Sequence, residues 1–135
     1  MRNFYNSIFL ISTVFVLVTA ISSCSKNEED ISAPSITIIR PAENDTVHLK
    51  NSRVYIEVKA ENNSNIDHME MTVITQSGIL LYKYEEDQID KSSYTSSENF
   101  SLDDIDIITK VKLVVTCENE LNAWRKKEVN FYLAP

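Results

Sequence analysis

Lys110-Val111-Lys112-Leu113-Val114-Val115-Thr116-Cys117-Glu118 decides the fold. Val111, Leu113, Val115 and Cys117 fall on one side of an extended chain, and Lys112, Val114, Thr116 and Glu118 on the other. A period of two marks a strand with one face in a core and one toward water. The pattern turns Cys117 inward, as a small buried hydrophobe.

The same alternation recurs outward in both directions. Downstream, Asn119-Glu120-Leu121-Asn122 reads as a turn into a last strand, Arg125 to Leu133, with Val129, Phe131 and Leu133 on one face. Upstream, Arg53 to Glu61 sets Val54, Ile56, Val58 and Ala60 against Tyr55, Glu57, Lys59 and Glu61. His68 to Gln76 does so with Met69, Met71 and Val73, leaving His68 on the opposite face. Between that strand and Ile79 to Glu85 stands Ser77-Gly78, the chain's one glycine, which predicts a tight hairpin. Pro34 and Pro41 bracket a first strand, Ser35 to Arg40.

Asn62-Asn63-Ser64-Asn65 reads as a turn, and serine-rich Asp87 to Glu98 as a loop or short edge strand. A brief strand around Phe100 follows at Asn99 to Leu102, then a turn or short helical segment at Asp103-Asp104-Ile105-Asp106. Six to eight short strands with no helical stripe predict an all-β domain. The expected form is a single immunoglobulin-like antiparallel β-sandwich of about seven strands.

The first residues read differently. Arg2 is the only charge before Lys26, and Ile8 to Ile21 is an apolar run too short for the ~20 residues of a spanning helix. It suits the core of an export signal. The run ends in Ile21-Ser22-Ser23-Cys24, which resembles the lipobox of bacterial lipoproteins. That resemblance implies cleavage before Cys24 and acyl chains such as palmitate on Cys24, the membrane contact of the mature protein. Ser25-Lys26-Asn27-Glu28-Glu29-Asp30 is polar and aperiodic, as a flexible tether would be. It resembles the acidic tag that carries some Gram-negative lipoproteins to the outer face of the outer membrane, so the expected place is the outer membrane, with its face left open. Three regions follow: signal 1–23, lipidated acidic tether 24–33, and domain 34–135.

The lipobox and tether, the entry Ile36-Thr37-Ile38-Ile39-Arg40-Pro41 with Asp45-Thr46-Val47, and the closing pair Val111 to Glu120 and Val129 to Leu133 together carry a wider likeness. The whole chain resembles the small Gram-negative lipoproteins that carry one Ig-like domain of unknown function, though without a paired disulfide.

Cleavage would leave 112 residues, room for one core, and removing Arg2 leaves 12 basic against 20 acidic side chains, a net charge of −8. Nucleic acid is excluded as an expected partner, since phosphate binding is driven by Lys and Arg. One glycine permits no glycine-rich phosphate loop, and neither the two histidines, His48 and His68, nor the cysteines form a metal-ligand spacing. No catalytic group, cofactor or metal is therefore expected. Asp103, Asp104 and Asp106 leave open a calcium role against that of a solvated acidic surface. Tyr82, Tyr84 and Trp124 are the candidate binding aromatics, free to stack on a sugar or peptide or else to cover the core. The expected role is a non-catalytic binding or accessory module for a glycan or protein of the envelope. The alternative is a structural subunit of a larger outer-membrane complex, pairing through a sheet edge.

Overall fold

The computed structural model describes residues 32–49, 53–102 and 105–135, which lie within one compact unit, Ile31–Pro135. The signal, the lipobox residues Ile21, Ser22 and Ser23, Cys24 and most of the tether fall outside the described residues, as do Asp103 and Asp104.

Every element among the described residues is a strand: β1 (Ser35–Arg40), β2 (Thr46–His48), β3 (Arg53–Thr75), β4 (Leu80–Ser101), β5 (Thr109–Asn119) and β6 (Trp124–Ala134). They join one curled sheet in the order β1-β3-β5-β6-β2, with β4 on the other edge of β3. All pairings are antiparallel except β2 against β6. No helix of the described residues is long and apolar enough to cross a membrane.

All-β is what the alternation predicts, but six strands stand where about seven were expected. The difference lies in β3 and β4, which run 23 and 22 residues. Asn62 to Asn65 is no turn; β3 continues through it, and the register to β4 slips between Glu61 and Ile66. Asp87 to Glu98 is an edge strand and not a loop, but a long one, the middle of the 22-residue β4. Polar sequence reads as loop because loops are polar, yet most of β4 pairs along β3, and within Asn62 to Asn65 the backbone bonds instead to the Asn62 side chain and to Glu120, so tertiary pairing overrides weak local preference.

Bulges let these strands bend while keeping the same side inward. In β3 the buried residues are Val54, Ile56, Val58, Ala60 and Ile66, then Met69, Met71 and Val73. Parity changes between Ile66 and His68, where the register slips by two residues against β4 and by one against β5. In β4, Gln88 and Asp90 take positive φ angles of 56° and 48°, turning Ile89 into the core between them. As a result the two segments of β3 pair differently on one edge. Glu57 to Glu61 meets β1, and Ile66 to Thr75 meets β5.

The core is filled from β3 by those residues, from β5 by Val111, Leu113, Val115 and Cys117, and from β6 by Val129, Phe131 and Leu133. Ile36, Ile89, Phe100 and Leu102 close it. Cys117 is fully buried, where the strand pattern places it. Leu113 and Phe131 are both fully enclosed, so truncating either to alanine costs about 2–5 kcal/mol.

Candidate functional site

The domain has two unlike ends, set by the register of β3 and β5. At one end Ile66 pairs with Asn119, and at the other Thr75 pairs with Val111. The chain enters at the first of these ends. The Ser32 carbonyl accepts from Asn62 Nδ2 at 2.8 Å and from Asn119 Nδ2 at 3.2 Å. This entry end and the far end are separated by the length of β5, about 30 Å at ~3.4 Å per residue.

Asn119 organises the entry end. Its side chain is buried, and Oδ1 accepts from the backbone of Leu121 at 3.1 Å and of Ala123 at 2.9 Å. Those bonds shape the β5–β6 turn, which delivers Trp124 to the first position of β6. Alternation along β6 buries Val129, Phe131 and Leu133, so Trp124 points to the opposite, outer face. It is 62% exposed. Beside the entry lies an open cleft of about 560 Å³ lined by Ser32, Ser35, Asn62, Asn63, Ser92 and Ser93 among others.

Across the outer face, Trp124, Glu118, His68 and Asp87 stand in one cross-strand row. His68 Nδ1 lies 2.6 Å from Asp87 Oδ1, and Glu85 brings a third ligand-type atom, all within 4.8 Å of one another. Sequence spacing hid this trio, because 17 to 19 residues separate His68 from its partners and only the β3–β4 register brings them together. The carboxylates are already engaged. Lys83 Nζ bridges Glu70 and Glu85 at 2.8 Å each, which holds its pKa above the usual lysine range. Lys112 and Lys126 likewise clamp Glu128, lowering its pKa, Lys126 first. His48, the other histidine, sits in β2 opposite Ala134.

Tyr82 and Tyr84 face the interior, not solvent. Tyr82 stacks on Phe100 with centroids 4.0 Å apart and donates to Glu98 Oε2 at 3.2 Å, while Ser96 Oγ donates to Glu98 Oε1. Tyr84 donates to Glu86 at 2.9 Å and meets the Tyr94 hydroxyl at 3.2 Å. Burial first, then the Glu98 charge and hydrogen bond, pushes the Tyr82 pKa up to about 12. Tyr84 is also raised, by burial and then by its Tyr94 and Glu86 bonds. These rings join the two halves of the bent β4 into one polar-edged wall of the core.

At the far end the surface is aliphatic. Ile79 and Leu80 follow the hairpin glycine, Gly78, whose φ of +85° makes the turn. Ile107 and Ile108 lead into β5, and all four are more than half exposed, at 55% to 75%. A depression of about 490 Å³ lies at the same end, lined by Ile74, Thr75, Gln76, Gly78, Lys112 and Asn130. The hairpin was legible from its glycine; the exposure of its aliphatics was not, since the same residue types form the core.

No family model matches the chain, and no curated protein matches it. Among solved structures, an engineered protein matches with a TM-score of 0.48 at 14% identity over 75% of this chain, which spans 20% of that chain. A superoxide reductase (neelaredoxin) from Ignicoccus hospitalis matches at 0.47 and 10% identity, over 76% of this chain and 80% of its own. A hypothetical protein from Pyrococcus horikoshii OT3 matches at 0.41 and 15% identity, over 73% and 85%. Likeness this faint carries no inference about this chain.

Proposed function

We propose that the protein is an outer-membrane lipoprotein, anchored through Cys24, whose domain is a non-catalytic binding or accessory module presenting its far end to a partner of the envelope. One observation carries this reading. The described domain begins at Ser32, and the exposed aliphatics Ile79, Leu80, Ile107 and Ile108 stand at the opposite end, where a depression lined by Ile74, Thr75, Gln76, Gly78, Lys112 and Asn130 also lies. A tether at one end leaves the other free, and large apolar residues in water mark interaction surfaces. Aliphatic contact suits a protein better than a glycan. An immunoglobulin-like sandwich is the accompanying reading of the fold. It is supported by the second half of β4 pairing with Arg53 to Glu61 and β1 with Glu57 to Glu61, while β5 and the first half of β4 flank Ile66 onward.

The test is site-specific photo-cross-linking from position 108 in intact cells, with palmitate labelling of Cys24 in parallel. We expect one defined envelope protein to be captured, capture to vanish in an Ile79→Ser/Ile107→Ser chain, and label to vanish in Cys24→Ser. Capture that survives the serine changes sinks the far-end reading.

A second reading rests on β4, whose other edge pairs with no strand among the described residues. A structural subunit of a larger complex could add a strand there. Lys83, Lys91 and the bulge at Gln88 to Asp90 are the features that guard such an edge. Cysteine cross-links between β4 and a neighbouring chain, unaffected by the Ile79 and Ile107 changes, would favour it.

A further inference from the structure

We infer that the β5–β6 turn is a membrane-docking element, seating Trp124 and Leu121 in the interfacial layer of the bilayer that holds the Cys24 lipid. This rests on the anchoring reading above and adds a second contact to it. Trp124 is the chain's only tryptophan and is 62% exposed; Leu121, three residues earlier in the same turn, is 41% exposed. Neither is placed there by chance flexibility, because the buried side chain of Asn119 bonds the backbone of Leu121 and Ala123. A fixed turn that holds an indole and an isobutyl group in water is a surface waiting for an apolar or interfacial contact.

The position of the turn names that contact. The same Asn119 side chain grips the Ser32 carbonyl, so the turn stands beside the point where the tether enters. Seven residues, 25 to 31, separate Ser32 from Cys24. Fully extended, that stretch reaches at most about 27 Å. A lipid on Cys24 therefore keeps this end nearest the bilayer, in whatever orientation the domain takes. Tryptophan favours the membrane–water boundary, where the ring body meets acyl chains and the N–H meets headgroups. Trp124-Arg125-Lys126-Lys127 also contains the longest basic run in an acidic chain, and Arg125, exposed, follows Trp124 on the opposite side of the strand. Lys126, on the Trp124 side of the strand, is held by Glu128, and Lys127 by the Ile36 carbonyl. Glu118, opposite Trp124 in the ladder, and Glu120 in the turn set the depth at the headgroup layer, since carboxylates resist entering hydrocarbon.

The experiment uses the full lipidated chain in vesicles of phosphatidylethanolamine and phosphatidylglycerol, with and without lipids brominated high on the acyl chain. Trp124 is the sole indole reporter. Docking is expected to blue-shift its emission and to expose it to bromine quenching, and Leu121→Asp is expected to reverse both while the chain still floats with the vesicles. Flotation with water-like, unquenched emission would overturn docking and leave the anchor standing. Failure of the wild-type chain to float would overturn the anchoring reading and docking with it. Equal quenching in Leu121→Asp would overturn docking as well, because tether proximity alone would then explain the signal.

Discussion

Asn119 Nδ2 and the Ser32 carbonyl, 87 residues apart, are joined by a hydrogen bond of 3.2 Å. Through it one buried amide ties the start of the described domain to the turn before its last strand. Three side-chain bonds converge on Asn119, and replacing it with alanine leaves two part-buried backbone N–H groups of the turn without their acceptor. Asn119→Ala is expected to lower stability by about 2–3 kcal/mol, read as a reduced denaturant midpoint. Asn119→Asp keeps the acceptor but turns a carboxylate oxygen toward the Ser32 carbonyl, so it should rescue little. Full stability in Asn119→Ala would show that the turn holds itself.

Tyr82 offers a pH signature. Its folded pKa is raised from 10.0 to about 12, chiefly by burial and then by Glu98. A raised folded value means the contribution is whole below pH 10.0 and is lost as the pH climbs through about 12. Denaturant midpoints measured against pH should therefore fall over that window. In Tyr82→Phe, which keeps the stack on Phe100, the fall should flatten. An identical alkaline limb in both proteins would remove Tyr82 as its source.

Burial raises the Cys117 thiol to about 11. In a Cys24→Ser chain, Ellman's reagent at mildly alkaline pH is expected to find no thiol until denaturant is added. Cys117→Val should stay within about 1.5 kcal/mol of wild type, and Cys117→Ser should cost about 1–3 kcal/mol for its enclosed hydroxyl. Rapid labelling of the native chain would place the sulfur outside the core.

Gln88 holds a φ of 56° beside the inward-turned Ile89. A β-branched side chain there meets the left-handed penalty, so Gln88→Val should cost about 1–2 kcal/mol. Gln88→Gly should be neutral or better. Thermal melts of the pair would decide it, and equal melting temperatures would mean that β4 relaxes freely at the bulge.

Much of this fold was legible where residues alternate cleanly. Ser35 to Arg40 is β1 to the residue, Lys110 to Glu118 is β5 less one residue at each end, and Gly78 marks the hairpin. What sequence hid was continuity and pairing. Asn62 to Asn65 carries turn chemistry yet runs as strand, because its backbone bonds to the Asn62 side chain and to Glu120 of the β5–β6 turn while the ladder resumes on either side. Thr46 to His48 gave no signal, since three residues joining β6 in parallel form no pattern of their own. The surfaces were harder still. An outward position looks the same whether it meets water, lipid or protein, so only the register reveals that Trp124 and the quartet Ile79, Leu80, Ile107 and Ile108 occupy opposite ends.

The antiparallel pairing of β1 with β3 has a mechanical meaning. β1 begins at the entry end and runs from Ser35, opposite Glu61, to Arg40, opposite Glu57. Tension between a membrane below Ser32 and a partner gripping the far end would act along the strand axis, straining the whole β1–β3 ladder at once. Bonds strained together in shear yield far later than bonds peeled one by one, so β1 would resist a pull along its own axis better than a pull across it.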